Sequence, residues 1–388
     1  MQGRLLKSGD LLVSIVVNNY NYAQYLRKAI DSALGQTHPN TEVIVVDDGS
    51  TDDSREVIAS YGDRIVPVLK ENGGQSSAFN AGFDQSNGDV IIFLDADDIL
   101  LACAAEQAAE RLRDGEAVKL HWPLWEVDRE DSRTGRILPG YPLLEGDVLQ
   151  ETIGYGVPRG WRHGLGHAYR RGFLEEVMPV RECGDNHGAD SYLCALAPIF
   201  GPIRRVEEPL GCYRTHGANF ARGRQVRYRL ERDARRYEFL FEWIGHFLNK
   251  KGYNVDTRPW FGEGSAYVWT CSTLALMEEI AAIAEPGTPL ILVDDGLLGP
   301  DFIPCARPMM ERHGQYAGPP ESSEAAIAEV KRQREADANY IVFAPGTFWW
   351  LDHYTEFDQY LRGQFACIAD SKKLIAFDLK KTAGAGRA

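Results

Sequence analysis

The chain has 388 residues, 44% of them hydrophobic, and a net charge of −14; by length it holds about two domains with ample core. So acidic a balance argues against nucleic acid as a partner, because phosphate backbones recruit stripes of Lys and Arg. Seven scattered cysteines without a Cys-x-x-Cys pair exclude a zinc knuckle or a disulfide framework and point to a reducing, cytoplasmic setting. No leader-like apolar core lies in Met1–Asp10 and no apolar run approaches about 18 residues, so no transmembrane segment is expected, while peripheral membrane contact stays open.

Leu11–Val17 reads as a strand, followed by the polar turn Asn18-Asn19-Tyr20-Asn21-Tyr22. Leu26, Ile30, Ala33 and Leu34 recur at helical spacing, which predicts a helix over Tyr25–Gly35. Glu42–Val46 is a second strand, ending in Asp47-Asp48-Gly49-Ser50-Thr51-Asp52-Asp53, and Ser54–Tyr61 a second helix. Ile65–Leu69 is a third strand, Asn72-Gly73-Gly74 a turn, and Ser76–Gln85 a helix stopping near Asn87-Gly88. Val90–Leu94 is an unbroken apolar run, the pattern of a strand buried on both faces. Alternating strands and helices imply parallel pairing with right-handed crossovers.

Two strand ends therefore carry acids on one sheet edge, where α/β folds bind ligands. Asp95, Asp97 and Asp98 follow the last strand. Three neighbouring carboxylates repel unless a positive charge sits between them, so a hard divalent cation that also binds phosphate oxygens suits them. Asp98 alone also reads as a helix cap before Ile99-Leu100-Leu101. Asp48 reads either as a ligand contact or as an Asx-turn feeding Gly49.

Four blocks in order carry a family signature: Val13-Ser14-Ile15-Val16-Val17-Asn18-Asn19-Tyr20-Asn21; Val45-Val46-Asp47-Asp48-Gly49-Ser50-Thr51-Asp52; Asn72-Gly73-Gly74 with Asn80-Ala81-Gly82; and Asp95-Ala96-Asp97-Asp98. Together they resemble the family two inverting glycosyltransferases of the GT-A fold. The resemblance implies a Rossmann-like, mostly parallel α/β sheet with flanking helices. It implies Mn²⁺ or Mg²⁺ as cofactor and a nucleotide-diphosphate sugar donor, a UDP-sugar first. The acceptor would be a saccharide, glycolipid or glycopeptide, in surface polysaccharide or glycoconjugate synthesis. Asn18 would lie near the base or ribose and Asp48 would accept a uracil-like imide, with Asp47 beside it. Tyr20, Gly74, Asn80 and Ala96 would belong to the same donor pocket. Asp95 and Asp97 would hold the cation, Asp95 also facing the donor. Ala78-Phe79-Asn80 stands where many relatives have Ala-Arg-Asn, so a basic nucleotide contact is missing there.

Ala104–Leu112 reads as a helix, His121–Val127 as a strand carrying Trp122 and Trp125, and Asp128–Leu138 as a hairpin or surface loop. Gly154–Arg171 combines Gly, Pro, aromatics and Arg, which suits an acceptor-side loop. Asp190 precedes the helical run Ser191–Ala197, and its place after the acidic motif resembles that of the family's general base. The residue before it is Ala189, not an acid; Asp185 is the rival, with His187 between. Cys212-Tyr213-Arg214-Thr215-His216 resembles the family's Tyr-Arg-x-His motif, implying His216 in the metal shell or on the diphosphate and Arg214 on the leaving phosphate.

Arg222–Lys251 is an Arg-rich helix with interleaved acids, Gly252–Gly264 a turn-rich stretch and Ser265–Ala284 another helix. A second α/β piece follows: strand Leu290–Val293 ending in Asp294-Asp295-Gly296, helix Ser322–Ala336, strand Tyr340–Phe343, aromatic helix Phe348–Leu361, and strands Phe365–Ala369 and Leu374–Asp378. The expected organisation is a GT-A domain over 1–222, a helical linker over 223–287 and a small α/β domain over 288–388 through which a homo-oligomer could form. Two other functions fit the acids. A sugar nucleotidyltransferase would want a Gly-rich basic loop after the first strand, where Asn18–Tyr22 has neither Gly nor Lys. A nucleotide-sugar-binding subunit without turnover would explain Ala189 and Phe79.

Overall fold

The structure, a computed structural model, describes residues 10–157, 166–181, 188–216, 226–262, 264–295, 303, 305–312 and 315–383. The chain divides into two compact units, Met1–Gly223 with Arg235–Ser265, and Arg224–Ala234 with Ala266–Ala388. The stretch 223–287, expected as a linker, is thus shared out between them.

The first unit begins β1 (Val13–Asn19), α1 (Ala23–Leu34), β2 (Thr41–Asp48), α2 (Ser54–Ala59), β3 (Val66–Lys70), α3 (Gly74–Gln85) and β4 (Val90–Asp95). It continues with β5 (Ile99–Leu100), α4 (Ala104–Leu112), β6 (Lys119–His121), β7 (Leu124–Val127), β8 (Arg133–Leu138), α5 (Leu149–Tyr155), β9 (His167–Arg170) and α6 (Arg171–Val177). Then come α7 (Ala189–Phe200), β10 (Ile203–Arg205), β11 (Gly211–Arg214) and α8 (Val226–Lys250), whose first turns count with the second unit.

Seven strands form the main sheet in the order β10-β6-β9-β4-β1-β2-β3. All neighbours are parallel except β9, which runs antiparallel to both β4 and β6. The mostly parallel α/β sheet with flanking helices is the expected architecture. Every residue of β1 is buried, as befits a central strand covered on both faces. The helix α1 buries Tyr25, Leu26, Ala29, Ile30 and Ala33, one stripe at helical spacing. A second sheet, β5-β11-β7-β8, adjoins it in sequence. The strand expected over 121–127 divides between the two sheets because Pro123, lacking an N–H, interrupts it.

Helix α3 lies very close to β1. A Cβ on Gly82 would meet Val16 Cγ1 at 2.2 Å and Val46 Cγ2 at 3.1 Å. Gly82→Val should therefore destabilise the unit by about 3 kcal/mol through overpacking, read as a lower melting temperature; an unchanged melt would show that α3 can slide on the sheet.

The second unit holds α9 (Ala266–Ile283), β12 (Leu290–Val293), β13 (Ala306–Pro308), β14 (Glu311–Arg312), β15 (Gln315–Tyr316), α10 (Ser323–Glu335) and β16 (Tyr340–Phe343). It closes with α11 (Trp349–His353), α12 (Thr355–Gln364), β17 (Phe365–Asp370) and β18 (Ile375–Thr382). Its sheet order is β13-β12-β16-β18-β17. The aromatic helix expected over 348–361 breaks at Tyr354, whose ψ of 68° is not helical. Trp350, Phe343, Phe357 and Phe377 are fully buried in its core. Asp295, at the end of β12, accepts bonds from Tyr316 Oη (2.9 Å) and Trp350 Nε1 (3.0 Å), so this acid ties aromatic side chains to the strand end. Gly296 lies outside the described residues. No helix among the described residues is long and apolar enough to cross a membrane.

Candidate active site

The parallel neighbours β2, β1 and β4 end on one edge. Register sets Asn19 beside Asp47 and Asn18 beside Asp95. Both acidic strand ends thus open on the same side of the sheet, where backbone groups and side chains beyond the last ladder bonds are free to meet a ligand.

The first acidic end is tightly held. Asp47 is fully buried and accepts from Asn19 Nδ2 (2.9 Å), the Ser50 amide (3.1 Å) and Arg55 Nε (3.0 Å). Asp48 accepts from Lys70 Nζ (2.6 Å) and from the amides of Gly73 (3.0 Å) and Gly74 (2.7 Å), which pins the start of α3. An imide at Asp48 would have to share or displace these donors. Asn18 differs: it is 9% exposed, and neither atom of its amide has a hydrogen-bond partner. A buried, unpartnered amide is what a bound polar group or an ordered water satisfies. Tyr20, just past β1, is 47% exposed.

The second end is an acidic loop. Carboxylate oxygens of Asp95, Asp97 and Asp98 lie within 4.8 Å of one another. Asp98 Oδ2 is buried without a hydrogen-bond partner. Burial, then the charges of Asp97 and Asp190, push the Asp95 carboxyl up to about 8. Burial, then the charges of Asp97 and Asp95, raise Asp98 well above the usual carboxylate range. Three crowded, desolvated oxygens with one orphan fit a hard divalent cation. His216 Nε2 lies 3.0 Å from Asp97 Oδ2, its ring beside Tyr25 at 5.0 Å, so it joins this cluster. The Tyr22 hydroxyl, which sequence reasoning passed over, is driven up by burial and then by the three acids.

Arg214 is placed differently from its expected role on a leaving phosphate. Its side chain is fully buried. Its Nε donates to the Asp97 carbonyl (2.8 Å), its guanidinium pairs with Asp131, and its amide donates to Asp98 Oδ1 (2.8 Å). It braces the acidic loop from beneath. Asn80 is likewise engaged, exchanging bonds of 3.1 and 2.7 Å with the backbone of Val180. Ala96 is buried and its amide donates to the Asn18 carbonyl (3.0 Å), holding β4 to β1 at the edge. Phe79, where a basic residue was missed, stacks on Phe93 with ring centroids 4.0 Å apart.

A cleft brings Asp95 and Asp190 together, with Gln75 and His167 as its other polar walls and Phe79, Phe93 and Tyr169 as its aromatic side. Asp190 lies in the first turn of α7, whose cap position is Gly188, so it is not the cap. Its Oδ1 accepts from the Ser191 amide (2.7 Å). The rival Asp185, and His187, lie outside the described residues, as does 158–165 of the expected acceptor-side loop. The ends of that loop are α5 and β9, which composition alone did not announce. His167 and Tyr169 belong to the stretch expected as an acceptor-side loop, whereas Gln75 was missed; a single polar residue at the start of a helix leaves no periodic signal.

A model of the family described as glycosyl transferase family 2 matches residues 14–176. An uncharacterized glycosyltransferase of Nostoc sp. strain PCC 7120 is 34% identical over 249 residues, 63% of this chain and 77% of that protein. One from Rickettsia prowazekii is 50% identical over 88 residues, but this chain spans only 28% of its length. Among solved structures, Staphylococcus aureus TarS 1–349 in complex with UDP-GlcNAc aligns with a TM-score of 0.46 and 17% identity, over 71% of this chain and 85% of that one.

Proposed function

The chain belongs to glycosyl transferase family 2, and from that premise we propose that it transfers a sugar, with inversion, from a UDP-sugar to a hydroxyl of a saccharide, glycolipid or glycopeptide. The transferase unit is residues 1–222. The observation that carries the reading is the shared cleft: the acidic loop's Asp95 and the carboxylate of Asp190 face one space.

In this reading Asp95, Asp97 and Asp98, with His216, hold a divalent cation, Mn²⁺ or Mg²⁺. When bound, the cation supplies positive charge against the leaving diphosphate. Asp190 accepts the proton of the acceptor hydroxyl as its oxygen attacks the anomeric carbon. The bond to the diphosphate breaks as the new glycosidic bond forms on the opposite face, so one displacement inverts the carbon and no protein nucleophile is needed. The donor's base lies toward Asn18, whose amide offers one donor and one acceptor edge, while Asp48 keeps α3 in place. Arg214 keeps the acidic loop in shape.

A thermal-shift panel of UDP-, GDP- and dTDP-sugars with Mn²⁺ or Mg²⁺ tests this. A UDP-sugar with cation should stabilise the protein, by about 2.7 kcal/mol at one hundred times its dissociation constant. Stabilisation by GDP- or dTDP-sugars alone would move the donor assignment, and indifference to all three would reject the donor site.

A further inference from the structure

The helix that bears Asp190 begins without a cap of its own. Gly188, at its N-cap, has a left-handed φ of +114° and no side chain to accept from the first amides. Such amides need a partner when they are not solvated. Gln75, in the first turn of α3, supplies it from another helix: its Oε1 accepts from Gly188 N (3.0 Å) and Ala189 N (3.3 Å). The same side chain lines the cleft that Asp95 and Asp190 share. An amide carries a carbonyl that accepts from backbone N–H groups and an NH2 that can donate to a carboxylate. Asn in its place would be shorter by one methylene, and Glu would have no hydrogen to offer Asp95 when ionised.

We propose that Gln75 is a positioning residue that fixes the start of the Asp190 helix at the cleft wall shared with Asp95, so that the proton acceptor and the cation-binding edge keep one spacing. This rests on the assignment of Asp95 to the cation and Asp190 to the proton transfer. Gln75 acts through these two groups. Its own anchoring is firm at both ends: Gly74 N is bound to Asp48, which fixes the turn Gln75 leaves from, and Gly82 seats the rest of α3 on β1.

The test uses the full chain with Gln75→Ala and Gln75→Asn, beside Asp95→Asn and Asp190→Asn. Mn²⁺ half-saturation is followed by thermal shift, UDP release is followed with UDP-GlcNAc and UDP-glucose, and hydrogen exchange is followed at the Gly188 and Ala189 amides. Removal of such an outer partner typically lowers metal affinity or activity by about 10–100-fold. Gln75→Ala should raise the Mn²⁺ half-saturation and lower the rate of UDP release within that range, with donor KM nearly unchanged, and should speed exchange at both amides. Gln75→Asn should not rescue it. A residue that merely capped α7 would change the exchange but leave Mn²⁺ half-saturation at the parent value, and that result overturns the proposal. If Asp95→Asn keeps the parent response to Mn²⁺, or Asp190→Asn keeps the parent rate, the underlying assignment fails and the proposal goes with it, whatever Gln75→Ala does.

Discussion

Asp190→Asn should lower sugar transfer by about 10²–10⁴-fold, the range general-base groups contribute, while donor binding stays close to that of the parent. The substitution is nearly isosteric. Asn keeps an oxygen for the Ser191 amide, which holds the Asp190 carboxylate at 2.7 Å, so the first turn of α7 has no reason to change. What it loses is the capacity to take a proton. Because Asp190 is not the helix cap, a loss of activity cannot be assigned to fraying of the helix, and the melting temperature serves as the control. The proposed donor site lies on other elements, the ends of β1, β2 and β4, so KM for the donor should move little. A variant with the parent kcat would remove Asp190 from the reaction.

The second large effect concerns the acidic loop, and it has two signs. Asp95 is pushed up to about 8, and Asp98 is raised too, in the metal-free protein. For a carboxylate with a raised native pKa, the folded state binds the proton more tightly than the unfolded chain does. The associated stability is fully present below the ordinary carboxylate range near 4 and is lost as pH rises toward about 8. The metal-free protein should therefore melt lower at pH 8 than at pH 5.5, with each kcal/mol worth about 2–4 °C in a domain of this size. A divalent cation favours the charged carboxylates, so Mn²⁺ or Mg²⁺ should raise the melting temperature more at pH 8 than at pH 5.5 and release protons on binding. Asp95→Asn removes one of the repelling charges. It should be more stable than the parent at pH 8 without metal, should show little further stabilisation by Mn²⁺, and should be inactive. EDTA should abolish transfer by the parent. Equal melting of parent and Asp95→Asn at pH 8, with equal responses to Mn²⁺, would contradict the cation assignment.

Much of this site was legible in the residues because its parts are local. Val90–Leu94 could be read as a buried strand from its apolar run, and Asp95-Ala96-Asp97-Asp98 then had to fall at the strand's carboxyl end. The same reasoning located Asp47 and Asp48. What could not be read was the partner of each group. Lys70 reaches Asp48 across 22 positions and Arg214 reaches the Asp97 carbonyl across 117; neither spacing follows from periodicity or turn chemistry. Arg214 was therefore expected on a phosphate and is found bracing a loop. Gln75 was invisible for the same reason, since its meaning depends on where α7 begins. The strand β9 escaped because four residues, His167–Arg170, are too few to show alternation against the Gly- and Arg-rich stretch before them.

The place of β9 in the main sheet has a consequence for how the nascent chain folds. The parallel group β3-β2-β1-β4 is complete as soon as Asp95 has left the ribosome, but β6 has no partner until His167–Arg170 arrives to lie between it and β4. During that interval of synthesis the edge of β4 is bare, an apolar template of the kind that recruits other chains. Proteins truncated between Asp98 and β9 should thus be far more prone to aggregate than ones cut after Arg170, even though both carry the complete acidic loop.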